Sequence, residues 1–187
     1  QTRNPYVLGR SPLGSRSGSA VAVAVNLCPV SLGAEVDGSI VRPASANAVI
    51  GLKPTVGLVS RRGVMGVAEP QDTAGPFACS VADLATVMNV IAGSDPLDPA
   101  TAAADERRPA DFRAALANDA LQGARLGVAR ECFSNHEGTR AVVEEAIETL
   151  RQLGAEIIDP IQATTLPFFG PLELELFLYG IKASINA

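Results

Sequence analysis

Two loops of small residues dominate the first third of the chain, joined by a short apolar run. The first reads Gly14-Ser15-Arg16-Ser17-Gly18-Ser19, and the second runs from Gly33 through Glu35, Asp37, Gly38 and Ser39 to Pro43. A short run rich in Ala and Val, residues 20–25, starts the connection between them. Small side chains let backbone approach backbone or ligand closely, and glycine tolerates the dihedral angles of tight turns. The pattern suggests two hydroxyls, Ser39 and one from the first loop, brought together over one pocket.

The rest of the chain can support such a pocket. With 187 residues, 47% of them hydrophobic and 19% charged, it has the composition of an ordinary globular domain. The net charge is −5 and no basic cluster occurs, so nothing electrostatic calls for a nucleic-acid partner. No run approaches the ~18 to 20 apolar residues of a membrane span. Cys28, Cys79 and Cys132 are widely spaced, which suggests neither a disulfide framework nor a zinc site. The single histidine, His136, sits in a turn-like Ser-Asn-His-Glu-Gly stretch and reads as a surface residue, which argues against a Ser-His-Asp triad.

Hydrophobic periodicity places the elements. Residues 20–25 fit a strand or a buried helix equally, and Ser17, Gly18 and Ser19 offer helix-capping groups. Short strands are expected at 30–33 and 48–52, a strand and turn at 56–65, and a loop at 69–76. Residues 80–92 read as a helix capped by Ser80, with Leu84, Val87, Met88 and Ile91 as its apolar stripe. A Pro/Asp turn at 95–100 and a polar loop at 102–108 follow, then a short helix at 112–116. Strands at 125–129 and 156–158, with a helix at 139–153 between them, form a βαβ unit. Residues 172–187 read as a last helix, interrupted by Gly180.

Three segments occur in order at matching intervals: the loop Leu13 to Ser19, the loop Gly33-Ala34-Glu35-Val36-Asp37-Gly38-Ser39-Ile40, and Gly51-Leu52-Lys53-Pro54-Thr55. They resemble the amidase signature family, whose loops read Gly-Gly-Ser-Ser-Gly-Gly-Ser and Gly-[Ser/Thr]-[Asp/Glu]-x-[Gly/Asp]-Gly-Ser-Ile. Ser15 and Ser39 stand 24 positions apart, the family spacing. Asp37 and the stretch Gln71-Asp72-Thr73-Ala74-Gly75-Pro76 look most like the peptide-amidase subgroup. The resemblance extends over nearly the whole chain.

The resemblance implies an α/β fold, a mixed β-sheet flanked by helices, and hydrolysis of a peptide or small-molecule amide without metal or cofactor. It further implies that Ser39 attacks the carbonyl and that Ser15, held by a cis peptide, relays the proton. The backbone N–H groups of Val36, Asp37, Gly38 and Ser39 would bind the oxyanion. The family's base is a lysine upstream of the first serine loop. This sequence holds only Lys53, which matches a non-catalytic family lysine, and Lys182. The expectation is therefore a partial single amidase domain over residues 1–187, cut at both ends and inactive alone. Its signature core would span 1–79, with helices and the βαβ unit in 80–187. The alternatives are a degenerate, non-catalytic binding or scaffold module and an amidotransferase A-type subunit. Arg16 and Leu13, which replace a small residue and a glycine of the first loop, motivate the scaffold. Outside the two serines, Asp37 and Asp72 are expected to hold N–H groups of their own loops. Arg16, Arg42 and Arg61 are expected to position loops or lie on the surface.

Overall fold

The computed structural model describes residues 1–162 and 169–186, and the chain divides into two compact units. The first comprises Gln1–Arg113 and Glu175–Ala187, and the second Ala114–Leu174. In the first unit the elements are α1 Ser17–Ala24, β1 Val30–Glu35, α2 Val41–Ala46, β2 Ile50–Gly51, β3 Thr73–Ala78, α3 Val81–Ile91 and α4 Ala104–Arg107. The second contains β4 Arg125–Gly127, α5 Glu137–Gln152 and β5 Glu156–Ile158. Helix α6, Phe169–Asn186, enters the first unit from Glu175 onward.

In the first unit an antiparallel sheet of order β1-β3-β2 is covered on both faces. Successive strand residues point to opposite faces, and β3 shows the result. Phe77 packs with Ala20 and Val23 of α1, with Ile40 just ahead of α2 and with Ala44 within it. Ala78 packs instead with Val59 and with Leu84, Met88 and Ala92 around α3. Phe77 and Met88 are almost fully buried, and side chains of their size contribute roughly 1.5–3 kcal/mol each on burial. Helix α3 begins where expected: the Ser80 hydroxyl accepts from the Asp83 N–H at 3.0 Å and donates to its carboxylate at 2.7 Å.

The second unit is the βαβ unit read from the sequence. Strands β4 and β5 run parallel, pairing Arg125 with Glu156 and Gly127 with Ile158. Between them α5 buries Ile147 and ends before Gly154, whose φ of +94° suits only glycine without strain. His136 is exposed as expected, and its Nδ1 accepts from the Thr139 N–H at 3.2 Å, capping α5.

Four local expectations change. Residues 20–24 are helical and Val25 caps their C-terminal end, and α1 already starts at Ser17, so Ser17 and Ser19 lie inside the helix and are not caps. Their hydroxyls donate to the carbonyls of Leu13 and Leu32 instead. Residues 69–76 are not all loop, because Thr73–Ala78 is the middle strand. Gly75 and Pro76 there read as breakers but have a packing role. A Cβ on Gly75 would sit 2.1 Å from the Leu52 carbonyl, and the Pro76 carbonyl accepts from the Leu52 N–H at 3.1 Å. Residues 56–65 form turns with a single bridge, Val59 to Ala92, in place of a strand. Finally, residues 104–107 within the expected polar loop make the short helix α4. Among the described residues no helix is long and apolar enough to cross a membrane.

Candidate active site

The site begins where β1 ends. Glu35 is buried, and its carboxylate faces three backbone donors: Gly38 N–H at 2.7 Å, Ile40 N–H at 2.6 Å and Val41 N–H at 3.0 Å. Charge-assisted bonds of this kind are about twice as strong as neutral ones. They fold residues 36–40 into a compact turn that leads directly into α2 and carries Ser39. The turn needs a glycine at 38, where φ is +71° and a Cβ would meet the Arg42 side chain at 2.4 Å.

The first serine loop is fastened to the same place. Asn47, fully buried at the end of α2, donates from Nδ2 to the Pro12 carbonyl at 2.9 Å and to the Pro43 carbonyl at 2.7 Å. The Arg16 N–H donates to the Ser39 carbonyl at 3.2 Å. The Gly14–Ser15 peptide is cis. Ser15 Oγ donates to Ser39 Oγ at 2.9 Å, while Arg16 Nη1 donates to Ser15 Oγ at 2.9 Å. The Arg16 stem passes over Gly33, where a Cβ would stand 3.0 Å from Arg16 Cγ.

The two serines open onto a cavity of about 230 Å³, lined also by Arg16, Val36, Asp37, Val67, Asp72 and Phe177. Helix α6 contributes Phe177 and approaches closely at Gly180, where a Cβ would lie 2.2 Å from the Val67 carbonyl. Two larger cavities adjoin it. One of about 510 Å³ shares Asp72, and one of about 410 Å³ shares Ala34. Neither is lined by Ser15 or Ser39. Size alone does not mark chemistry, so the smaller cavity, where two hydroxyls touch, is the candidate site.

Its charges are mostly committed. Asp72 accepts from the N–H groups of Val67 and Ala68 at 2.9 and 3.0 Å, the loop-holding role expected for it. Asp37 does not hold its own loop. It pairs with Arg42 at 3.2 Å on the surface. Beside the site, Arg61 forms a two-pronged pair with buried Asp98, through Nε to Oδ2 at 3.0 Å and Nη2 to Oδ1 at 2.8 Å. Hydrogen bonding from that guanidinium holds the Asp98 carboxyl well below the usual range, and the same pairing raises Arg61.

The structure thus brings Ser15 and Ser39 together. Of the four expected oxyanion donors, Gly38 differs, because its N–H is already engaged by Glu35. Val36, Asp37 and Ser39 line the cavity. Neither Lys53 nor Lys182 is among the residues lining it. The sequence reading missed Glu35 as the organiser of the loop, whereas Arg16 stands at the pocket beside Ser15, as its replacement of a small residue next to that serine implied. An acid standing just ahead of a turn of small residues was the available signal for Glu35, since such turns leave N–H groups without a ladder partner. Chemically, a hydroxyl becomes a nucleophile when a neighbour can take its proton. Ser15 can pass a proton on, but a guanidinium only donates and cannot receive one.

The family model described as Amidase matches residues 1–173. An Arabidopsis thaliana protein named "Probable amidase" is 44% identical over 85% of this chain and 30% of its own length. The A-type subunit of glutamyl-tRNA(Gln) amidotransferase from Caldanaerobacter subterraneus subsp. tengcongensis is 43% identical over the whole chain and 36% of its own. The crystal structure of the native peptide amidase from Stenotrophomonas maltophilia is 45% identical, with a TM-score of 0.88 over 98% of this chain and 38% of that one. The chain therefore spans about a third of the length of these relatives.

Proposed function

The chain belongs to the amidase family, and from that premise we propose that it carries the two-serine part of an amide-cleaving site with Ser39 as nucleophile. The observation that carries this reading is the 2.9 Å contact between Ser15 Oγ and Ser39 Oγ in a lined cavity. With the two hydroxyls turned so that Ser15 donates to a base and Ser39 donates to Ser15, Ser39 Oγ attacks the amide carbonyl as its proton moves to Ser15 Oγ, which passes its own proton on to that base. The tetrahedral oxyanion is met by the N–H groups of Val36, Asp37 and Ser39, and one such donor lowers the barrier by about 3 kcal/mol. Collapse breaks the C–N bond, Ser15 protonates the departing nitrogen, and water then hydrolyses the acyl ester on Ser39.

In this reading the base is the lysine that the family places upstream of the first serine loop, since Arg16, the cation that touches Ser15, cannot accept a proton. The 187 residues alone are accordingly inactive. Ser39→Ala in the full-length protein should remove amide hydrolysis, and unchanged turnover would sink the assignment. An acyl-enzyme formed on the isolated chain would overturn the claim about the base.

A second reading is an amidotransferase A-type subunit. The 43% identity to one of these over the whole chain favours it. Amide cleavage that appears only after partner proteins are added distinguishes it from a free-standing amidase.

A further inference from the structure

We propose that Arg16 selects substrates whose leaving amine bears a carboxylate on the neighbouring carbon, so that the amide cleaved is that of an N-acyl amino acid. The inference rests on the reading of Ser39 as nucleophile and adds to it a substrate class.

Geometry sets the side of the scissile bond. Ser15 Oγ stands 2.9 Å from Ser39 Oγ, so it is the group within reach of the nitrogen when Ser39 bonds to the carbonyl carbon. Arg16 Nη1 stands 2.9 Å from that same Ser15 Oγ. The guanidinium is thus within hydrogen-bond reach of the group that protonates the leaving nitrogen. A group carried one carbon from that nitrogen can therefore come within reach of it.

Charge sets the chemistry. Every carboxylate lining the cavity has a partner: Glu35 takes three N–H groups, Asp72 takes two, and Asp37 pairs with Arg42. Among the described residues Arg16 pairs with no carboxylate, and the one polar contact recorded for its side chain is the neutral Ser15 hydroxyl. A guanidinium offers five N–H donors in a planar fork that fits a carboxylate in two-pronged fashion. Arg16 is also held in place, because its stem lies over Gly33 and its N–H is tied to the Ser39 carbonyl. A preorganised cation with donors to spare, at the leaving-group end of a cavity whose acids are satisfied, is a receptor for an anion.

The reaction balances as amide hydrolysis. The carbonyl carbon gains a bond to Ser39 Oγ and loses its bond to nitrogen. The nitrogen takes a proton through Ser15 and departs as the amino acid. Water then releases the acyl group as a carboxylic acid and returns the hydrogen to Ser39.

The test uses the full-length protein with N-benzoylglycine, the neutral N-benzoylpropylamine, and benzamide as a plain amide. The expected result is a kcat/KM for N-benzoylglycine about 10- to 100-fold above that for N-benzoylpropylamine, the range of a hydrogen-bonded charge pair. Arg16→Ser should bring this ratio close to one, and Arg16→Lys, a cation without the fork, should leave it in between. A ratio near one in the wild type overturns the proposal, as does an unchanged ratio in Arg16→Ser. If Arg16→Ser does not fold, the wild-type and Arg16→Lys ratios decide. Ser39-dependent cleavage of benzamide without a carboxylate preference removes this inference and leaves the amidase reading standing. Absence of cleavage of all three amides removes both.

Discussion

Replacing Glu35 by alanine should unseat the nucleophile loop, and the structure gives the scale of the effect. Glu35 is 4% exposed and satisfies three backbone donors within 3.0 Å. Alanine removes the acceptor and leaves those N–H groups facing a void. A buried donor left without its partner costs about 1–3 kcal/mol, more when the lost partner was charged. Three such costs do not add fully, because the freed turn can reach water on its Asp37 side, which is exposed. A destabilisation of about 4 kcal/mol is the expected outcome, from two or three donors at that cost. With a urea slope of about 2 kcal/mol/M, the unfolding midpoint of the first unit should fall by about 2 M. Glu35→Gln keeps one acceptor oxygen but turns a donor toward donors, so it should fall between the two. Urea titrations of the three chains, followed by circular dichroism, make the comparison. A shift in Glu35→Ala below about 0.5 M, a quarter of that expected from the slope, would refute the view that this carboxylate holds the loop.

The Arg61–Asp98 pair gives the first unit an acid-sensitive joint. Asp98 has a folded-state pKa below its unfolded value, so its contribution is present above about pH 4, the usual carboxylate range, and is lost as pH falls toward the folded value. Acid titration of stability should therefore show a fall below about pH 4 that flattens in Asp98→Asn; an identical slope in both would refute it. Gly180→Ala sets two effects against each other. Alanine gains about 1 kcal/mol of helix propensity, but its Cβ would stand 2.2 Å from the Val67 carbonyl, a backbone atom that cannot swing away. The clash should win, and hydrogen exchange in residues 175–186 should accelerate; equal or slower exchange would show that α6 is seated differently.

What the sequence disclosed follows the range of the forces involved. Helices α3 and α5 carry their own signals, a cap at one end and a periodic apolar stripe along one side, so they were legible from local pattern. The pairing of Ser15 with Ser39 was legible through the resemblance of both loops to the family and their spacing; two nearby Ser/Gly loops suggested no more than a shared pocket. Strand β3 was not legible. Its Gly75-Pro76 pair reads locally as a break, and the reason for the glycine, the Leu52 carbonyl against it, lies more than twenty positions away. Ser17 and Ser19 misled for a related reason. Capping residues look alike whether or not the backbone leaves them room, and here Arg16 occupies the N-cap position without a side-chain cap bond. The role of Glu35 needed three donors known in space, which no periodicity reports.

The register of the sheet has a further consequence. Val30–Glu35 pairs residue for residue with Thr73–Ala78, between 38 and 48 positions along the chain. Side chains alternate along a strand, so a slip of one residue would turn Glu35 to the opposite face and offer the loop Ala34 or Val36 instead. Neither can hold three N–H groups. Assembly of the nucleophile loop must then wait for a distant and correct zipping of two strands. A molecule that has collapsed without settling its strand pairing has a hydroxyl at position 39 but no loop to aim it. Competence should consequently arise late in folding and in a single step, with no partly competent species before it.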